Sequence, residues 1–418
     1  MRSPKLARNR SKDWYRYYAG YAPEFVEDAL ETLGVSAEDH VLDPWNGSGT
    51  TTAVAQTRGI QAVGYDANPA LVLIARSRLL GSEVADSVAS LADDLVDHAG
   101  LYEIDDRAPD PLSVWFATDA VREVRGLERA IRHVLVSQKA PAMPKENGAI
   151  ERVSALAAFF YVALFEVVRS SMRPYVTSNP TWIKKGDPST LISFEPGAIH
   201  DSFRKVSERM TRRLRDRAPM DGKVVGAVAL ANSCALPLED DSIAGAITSP
   251  PYCTRIDYVA ATRPELAVIG FSDDEIRVLR NGMIGTPTIA NSTPPAVGDW
   301  GEATTDLLAQ ITAHRSHASG TYYRKYYLQY FDSLWKSLEE LRRVIVSDGK
   351  AIIVVQDSFY KELHVDLAGI VQQMSERLGF TLAAREDFDI TTTKAAIHPG
   401  SRSWRSKFSA TESALVFS

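Results

Sequence analysis

The chain has 418 residues, and its 47 lysines and arginines against 53 aspartates and glutamates give a formal net charge of −6. A content of 45% hydrophobic and 24% charged residues is ordinary for a soluble globular protein and disfavours extensive disorder. Two cysteines, Cys234 and Cys253, are too few for a disulfide framework or a four-cysteine zinc site, and the acidic balance argues against a chain that is basic throughout.

The apolar stretches of the chain are short. No apolar stretch follows the basic N-terminus, as it would in a secretory signal. The longest apolar run, residues 153–168, is interrupted by Glu166 and is shorter than the ~18–20 residues of a membrane span. We therefore expect a cytoplasmic protein that makes no contact with a membrane.

Residues 23–80 predict helices and strands in alternation. EFVEDALETL has the apolar spacing of a helix, HVLDP and QAVGYD are strand-like, and TTAVAQTRG and PALVLIARSRLL are helix-like. Strands that alternate with helices are typical of a doubly wound, mostly parallel α/β sheet.

The pattern changes after residue 80. Long helical segments dominate residues 81–221, whereas strand-like runs resume in KVVGAVAL, AGAIT and GKAIIVVQD. We therefore predict a core formed by residues 1–80 and 222–418, with a helical insertion at 81–221. Residues 281–301, rich in proline, glycine, threonine and serine, predict a long surface loop.

A glycine-bearing turn, DPWNGSGT at 43–50, lies between the first strand and a helix. Glycines allow a sharp turn and a close approach to a ligand, and the helix N-terminus offers unpaired N–H groups. The turn lacks the GK[ST] of a phosphate-binding loop and the three-glycine spacing of a dinucleotide site. Asp66 ends the second strand, where a carboxylate can accept hydrogen bonds from ribose hydroxyls. Together they predict a ligand that contains adenosine; a purely structural tight turn is the alternative.

A second turn, TSPPY at 248–252, follows the strand AGAIT. Two prolines fix an extended, rigid turn at the carboxyl end of the strand, where ligands bind in open α/β sheets. The Ser249 hydroxyl and the Pro250 carbonyl can accept hydrogen bonds from an exocyclic amino group, and the Tyr252 ring can stack on a base. A simple loop with a packed tyrosine is the alternative.

The two motifs together resemble those of the amino-group DNA methyltransferases that use S-adenosylmethionine. In that family the first motif usually reads D-P-F-x-G-S-G-T and holds the cofactor, and the second reads (D/N/S)-P-P-(Y/F/W) and holds the target amino group. The segments YYAGYAPEFVEDAL, GYDANP and NSCALPLEDDSI are similar to the family's cofactor-closing, acidic and adenine-ring motifs. The resemblance covers residues 14–80 and 222–418 and implies a Rossmann-like methyltransferase fold for this core.

The resemblance also implies the site residues. It carries the binding of S-adenosylmethionine over to Tyr21, Asp43, Pro44, Trp45, Gly47, Ser48, Gly49, Thr50, Asp66, Ala67, Asn68, Ser233 and Cys234. It carries catalysis over to Ser249, Pro250, Pro251 and Tyr252. This sequence departs from the family at Trp45, where phenylalanine is usual, and at residues 232–234, where an aspartate is common. In the family's class with this motif order, the recognition domain usually lies just before the catalytic motif, so 81–221 is only a possible target-recognition region.

The serine of the second motif bears on the target base. In the family, serine accompanies cytosine-N4 methylation, whereas an acid or amide accompanies adenine-N6 methylation. The resemblance therefore implies a site-specific DNA cytosine-N4 methyltransferase of a bacterial modification or defence system, which flips its target base onto Tyr252. Adenine-N6 methylation, RNA methylation and a catalytically silent nucleic-acid-binding subunit remain alternatives. Cys253 is expected to be an ordinary wall residue of the pocket.

Clusters of cations predict where double-stranded DNA binds. Arg212 and Arg213 lie on a predicted helix with an excess of cations, and Arg255 follows the TSPPY turn. Arg324, Lys325, Arg402 and Arg405 lie among aromatic residues. A solvated helix face is the alternative for the helix of Arg212, and pairing with Asp257 is the alternative for Arg255. A cognate restriction or defence partner is possible. The histidines show no metal-ligand spacing, so we predict no metal.

Overall fold

The computed structural model describes residues 1–4, 15, 20–102, 109–136, 148–177, 183–217, 226–289, 298–390 and 410–418. Its first part alternates helices and strands as the sequence predicts. These elements are α1 (Pro23–Leu33), β1 (His40–Asp43), α2 (Thr50–Thr57), β2 (Gln61–Asp66) and α3 (Pro69–Ser77). Prolines begin α1 and α3 at the first helical turn, where the missing N–H costs nothing.

Helices follow in the region predicted as an insertion. They are α4 (Ala85–Ala99), α5 (Thr118–Ile131), α6 (Ala155–Ser171) and α7 (Ala198–Arg215). Most of α6 is buried, because it packs against α3, α5 and α7, which explains why its sequence is apolar on nearly every side. Among the residues that the structure describes, no helix is long and apolar enough to cross a membrane.

The rest of the chain completes the sheet and its other layer. Its strands are β3 (Gly226–Leu230), β4 (Ile243–Thr248), β5 (Ile345–Gln356), β6 (Ser358–Tyr360), β7 (Leu363–Val365), β8 (Leu382–Ile390) and β9 (Ala410–Phe417). Its helices are α8 (Tyr258–Ala261), α9 (Arg263–Val268), α10 (Asp273–Asn281), α11 (Glu302–Ala313), α12 (Arg324–Val344) and α13 (Leu367–Arg377).

Seven strands form one sheet in the order β3-β2-β1-β4-β5-β9-β8. The pairs among β1 to β5 are parallel, and β9 runs antiparallel to both β5 and β8. The expected doubly wound, mostly parallel α/β sheet is therefore confirmed. The strand order reverses between β1 and β4, and the carboxyl ends of these strands frame the crevice where such sheets bind ligands.

Alternate residues of the central strands face opposite layers of helices. Val41 and Ile247 pack in the cluster that contains residues of α1. Leu42 and Ala246, one position along, pack in the cluster that contains residues of α11, α12 and α13. The two layers cover both faces of the sheet, so the crevice at the strand ends is the side left for a ligand.

Two arginines of the helical region bind the ends of α8 and α9. Arg169 on α6 donates to the carbonyl of Ala261 at 2.6 Å. Arg125 on α5 donates to the carbonyls of Val268, at 2.5 Å, and Ala267, at 2.7 Å. Both arginines therefore support the segment that directly follows the TSPPY turn.

Candidate active site

Asp43 joins three parts of the chain at the end of β1. Its carboxylate accepts hydrogen bonds from Thr51 at 2.6 Å, Thr248 at 2.7 Å and Tyr21 at 2.9 Å. Burial raises the pKa of Asp43, although the hydroxyl donors oppose this shift. The segment before α1, the glycine loop and the end of β4 are thus held at one point.

The glycine loop takes a backbone path that requires glycine. Gly47 and Gly49 have φ angles of 52° and 82°, in the left-handed region. A Cβ at Gly49 would lie 2.7 Å from the Cβ of Ala75 on α3. In the stretch 43–50, Trp45 and Gly47 are partly exposed, whereas the others, Pro44, Ser48 and Thr50 among them, are buried.

Asp66 bonds to the backbone of this loop. Its Oδ2 accepts the N–H of Gly47 at 3.0 Å, and its Oδ1 accepts the N–H of Asn68 at 2.8 Å. Burial raises the pKa of Asp66 to about 6. A carboxylate oxygen that accepts one hydrogen bond can accept another, so Asp66 retains acceptor capacity for ligand hydroxyls.

Asn68 has its polar atoms engaged within the protein. Its Oδ1 caps α3 by accepting the N–H of Ala70 at 3.1 Å, and its Nδ2 donates to Thr262 at 2.8 Å. Its side chain is fully buried, and Ala67 beside it is partly buried. Asn68 thus connects the end of β2 to the junction between α8 and α9.

The turn after β3 contacts α12. Ser233 Oγ lies 2.9 Å from Ser337 Oγ, and Cys234 Sγ lies 3.4 Å from the carbonyl of Ser333. Asn232 and Ala235 are exposed in this turn, and Oδ1 of Asn232 accepts the N–H of Cys234 at 3.0 Å. The predicted Ser233 and Cys234 therefore fix the turn, and Asn232 is the polar side chain that it presents to solvent.

Two buried donors of the glycine loop have no protein partner. They are Nδ2 of Asn46 and Nε1 of Trp45. Asn46 packs against Gly64, where a Cβ would lie 2.4 Å from Nδ2. Asn46 stands at the variable position of the motif, so the motif offered no signal for it. Buried donors without partners are costly, so a ligand that placed acceptors at this loop would gain by satisfying them.

The TSPPY turn is anchored from two sides. The Pro251 carbonyl accepts the hydroxyl of Tyr330 on α12 at 2.8 Å, and the Cys253 carbonyl accepts the hydroxyl of Ser358 on β6 at 3.0 Å. The side chain of Cys253 is 3% exposed, and burial raises the pKa of its thiol. A thiol kept neutral is a poor nucleophile, as expected for a residue of the pocket wall.

Ser249 and Tyr252 share a hydrogen-bond chain with a residue that the sequence did not suggest. The Ser249 hydroxyl donates to the Tyr252 hydroxyl at 3.5 Å, which in turn donates to Glu412 Oε1 at 2.9 Å. Glu412 lies on β9, 160 residues from Tyr252, and is 8% exposed. Burial strongly raises the pKa of Tyr252, so its phenol keeps its proton.

Arg255 lies among tyrosines, not beside Asp257. Its guanidinium donates to the hydroxyls of Tyr322 at 3.1 Å and Tyr323 at 3.3 Å and lies over both rings. Asp257 instead pairs with Arg280 at 2.5 Å. Arg255 has a left-handed φ of 57°, and among the described residues no carboxylate pairs with it. Such strain is common at functional sites.

The other predicted DNA-binding residues lie in two regions. Arg324 and Lys325 begin α12 directly after the tyrosines that contact Arg255. Arg212 and Arg213 lie on α7, where Arg212 is 3.9 Å from Glu208 and other arginines form ion pairs with acids. Arg402 and Arg405 lie outside the described residues. Within the described ranges, no three histidine, cysteine or acidic side chains could together hold a metal ion.

A mostly parallel sheet with a glycine loop after β1 and a proline turn after β4 defines the class: the fold is consistent with a Rossmann-like methyltransferase. A comparison with protein-family models found no match. The chain is 22% identical over 313 residues to Type II methyltransferase M.BsoBI of Geobacillus stearothermophilus, which covers 67% of the chain and 57% of that protein. It is thus matched to less than two thirds of the length of M.BsoBI.

Two further relatives are matched over more of their length. Type II methyltransferase M.AvaI of Nostoc sp. is 22% identical over 408 residues, or 90% of the chain and 80% of that protein. Type II methyltransferase M.MvaI of Kocuria varians is 20% identical over 390 residues, or 87% of the chain and 80% of that protein. The chain is therefore similar to Type II methyltransferases along most of its sequence.

Proposed function

We propose that the chain is an S-adenosylmethionine-dependent DNA methyltransferase that modifies the exocyclic N4 amino group of cytosine. One observation carries the proposal. Asp43 of the glycine loop accepts a hydrogen bond from Thr248, which directly precedes Ser249, so the two motifs of the resemblance adjoin at the strand ends. The similarity to Type II methyltransferases supports a modification enzyme, with a cognate restriction or defence partner as a possible companion.

The residues of the glycine loop fit an adenosine-containing cofactor. The partnerless donors of Trp45 and Asn46 offer hydrogen bonds, and Asp66 offers acceptors for ribose hydroxyls. Tyr21, fixed by Asp43, would close the site, and Asn232 would face the adenine ring together with the backbone of Ser233 and Cys234. When bound, S-adenosylmethionine supplies the methyl group on a sulfonium sulfur.

The TSPPY turn would orient the target amino group. The Ser249 hydroxyl and the Pro250 carbonyl would accept its two hydrogens, while the Tyr252 ring stacks on the base that has been flipped out of the duplex. The anchored turn would thereby aim the nitrogen lone pair along one direction, so that the contribution of the protein is mainly orientation.

DNA would bind at the cations near the TSPPY turn. Arg255, Arg324 and Lys325 lie next to the TSPPY turn or to the tyrosines around it, and we propose that they contact phosphates. The DNA contacts of Arg212 and Arg213 remain predictions. The division into a core and a helical insertion at 81–221 also remains a prediction, with target recognition as one candidate role for the insertion.

The test is sequencing of methylated DNA from cells that express the chain, with nucleoside analysis of the product. We expect N4-methylcytosine at a fixed sequence. Ser249→Ala should strongly lower turnover and leave the affinity for S-adenosylmethionine nearly unchanged. N6-methyladenine would overturn the choice of base, and DNA that gains no methyl group would overturn the proposed function.

A further inference from the structure

The hydrogen-bond chain from Ser249 through Tyr252 to Glu412 has a direction. Glu412 lies on β9, where it pairs with Gln356 of β5 and Phe388 of β8 in the sheet. The Tyr252 hydroxyl donates its proton to Glu412 Oε1 at 2.9 Å. A phenol has one proton to donate, so its oxygen accepts the proton of Ser249.

This direction decides what Ser249 can bind. Because its proton points to Tyr252, the Ser249 Oγ presents lone pairs to the crevice and acts as an acceptor. A base that carries an amino group at this point can donate a hydrogen bond to Ser249 Oγ. A base that carries a carbonyl oxygen there cannot, because the carbonyl oxygen and Ser249 Oγ are both acceptors and repel each other. At 3.5 Å the bond between Ser249 and Tyr252 is long, as such bonds often are before substrate binds.

We infer that Glu412 is a positioning residue that holds Ser249 as an acceptor for the target amino group and takes up the proton which that group loses. The inference rests on the proposed function. As the bond from nitrogen to methyl carbon forms and the bond from sulfur to methyl carbon breaks, the nitrogen becomes cationic. It then gives a proton to Ser249, whose own proton passes to Tyr252, while the Tyr252 proton passes to the Glu412 carboxylate.

The first experiment measures binding without methyl transfer. Duplexes that contain the methylated sequence carry either cytosine or uracil at the target position, and their affinities are measured without cofactor. Wild-type protein should prefer cytosine. Tyr252→Phe breaks the chain, and in Glu412→Gln an amide lets it run in either direction, so in both variants Ser249 can also donate to the uracil carbonyl. Both substitutions should therefore lower the preference at least fivefold, chiefly by strengthening the binding of the uracil duplex. Any effect of the uracil–guanine mismatch is common to all proteins and cancels.

The second experiment measures single-turnover methyl transfer with DNA and S-adenosylmethionine saturating. Glu412→Gln should lower the rate at least tenfold while both dissociation constants stay within twofold, a split that a purely structural role would not give. The double variant with Tyr252→Phe should be no slower than the slower single variant, because both substitutions interrupt the same hydrogen-bond chain. Asp387→Asn, on the neighbouring strand β8, is the matched control and should resemble wild type.

Two results would overturn the inference: an unchanged preference for cytosine in both variants, or a rate of Glu412→Gln within twofold of wild type. Either can occur while the wild-type protein methylates DNA normally. A wild-type protein that transfers no methyl group to DNA would instead overturn the proposed function, so the two failures are distinguishable.

Discussion

At the scale of single residues, Gly49 shows how closely the loop is fitted to α3. A Cβ there would be 2.8 Å from the Cα of Ala75, and the φ of 82° disfavours any L side chain. Gly49→Ala should lower the free energy of unfolding by about 2–5 kcal/mol, the sum of backbone strain and overpacking. Denaturant titration measures the loss.

Gly59, at the other end of α2, is the matched control. It also has a positive φ, 69°, but a Cβ there would meet nothing within 4 Å. Gly59→Ala should therefore cost only the backbone strain, about 1–2 kcal/mol. Equal losses for the two substitutions would contradict the close packing of the loop against α3.

Asp66 should make cofactor binding depend on pH. With a pKa of about 6, its carboxylate loses its charge as the pH falls below that value. The charge strengthens hydrogen bonds from ribose hydroxyls, so the affinity for S-adenosylmethionine should fall by up to about tenfold between pH 7.5 and pH 5. Calorimetric titration across this range measures the change.

Asp66→Asn is the control for this dependence. Asp43, whose pKa burial also raises, is present in both proteins, so the difference between them isolates Asp66. An equal pH dependence in the variant would exclude Asp66 as the source. The same shift affects folding: since the folded pKa lies above the ordinary 3.8, Asp66 favours the folded state below about pH 4, and this contribution is lost as the pH rises through about 6.

The candidate site residues that the sequence predicts lie in short motifs. Asp43 and Ser249 are predicted because contiguous residues at a strand end carry the signal. Glu412 could not be found, because its contact with Tyr252 depends on how β9 enters the sheet. The sequence leaves two alternatives for Arg255, a contact with a DNA phosphate or an ion pair with Asp257. The structure excludes the ion pair, because Asp257 caps α8 and pairs with Arg280.

At the scale of elements, α5 supports the segment after the TSPPY turn through Arg125. This side chain is buried and, besides two carbonyls of α9, binds Asp110 at 2.6 Å. Arg125→Ala should lower the free energy of unfolding by about 3–5 kcal/mol, because it leaves buried polar groups without a partner. Thermal or denaturant unfolding measures the effect.

Arg122, one turn earlier on α5, provides the comparison. Its side chain is 51% exposed and pairs with Asp119 in the same helix. Arg122→Ala should change the free energy of unfolding by less than about 0.5 kcal/mol. A similar loss of unfolding free energy in both variants would mean that the substitutions destabilise α5 itself, and not the hydrogen bonds from Arg125 to α9.

The elements themselves were predicted unevenly. The sequence predicts the alternation of strands and helices from β1 to α3, because its apolar runs are short and well separated by turn residues. Strands β8 and β9 were not predicted. β8 is an edge strand whose residues are mostly exposed or half-buried and include four acidic or basic side chains, so it lacks an apolar run.

At the scale of the whole molecule, a net charge of −6 means that the proposed DNA binding would have to occur through local positive patches. Affinity should therefore fall as salt rises, with a slope set by the few phosphates contacted. Arg255→Ala should reduce the slope of log affinity against log salt by about 0.9, the share of one phosphate contact. Fluorescence anisotropy at several salt concentrations measures the slope.

Arg277→Ala tests whether loss of any surface cation has this effect. Arg277 is exposed on α10 and pairs with Asp274 at 2.9 Å, outside the proposed DNA-binding residues. Its removal should leave the slope unchanged. A slope that changes equally in both variants would assign the effect to overall charge and not to the position of Arg255 beside the TSPPY turn.

The place of β9 between β5 and β8 has a consequence for biosynthesis. Ribosomes make proteins from the N-terminus, so β9 is synthesised after every other strand of the sheet that it joins. Until it inserts, β8 has no neighbour in the sheet and Tyr252 has no carboxylate at its hydroxyl. Contacts so distant in sequence form late. A nascent chain can therefore form the glycine loop before Glu412 reaches the hydroxyl of Tyr252.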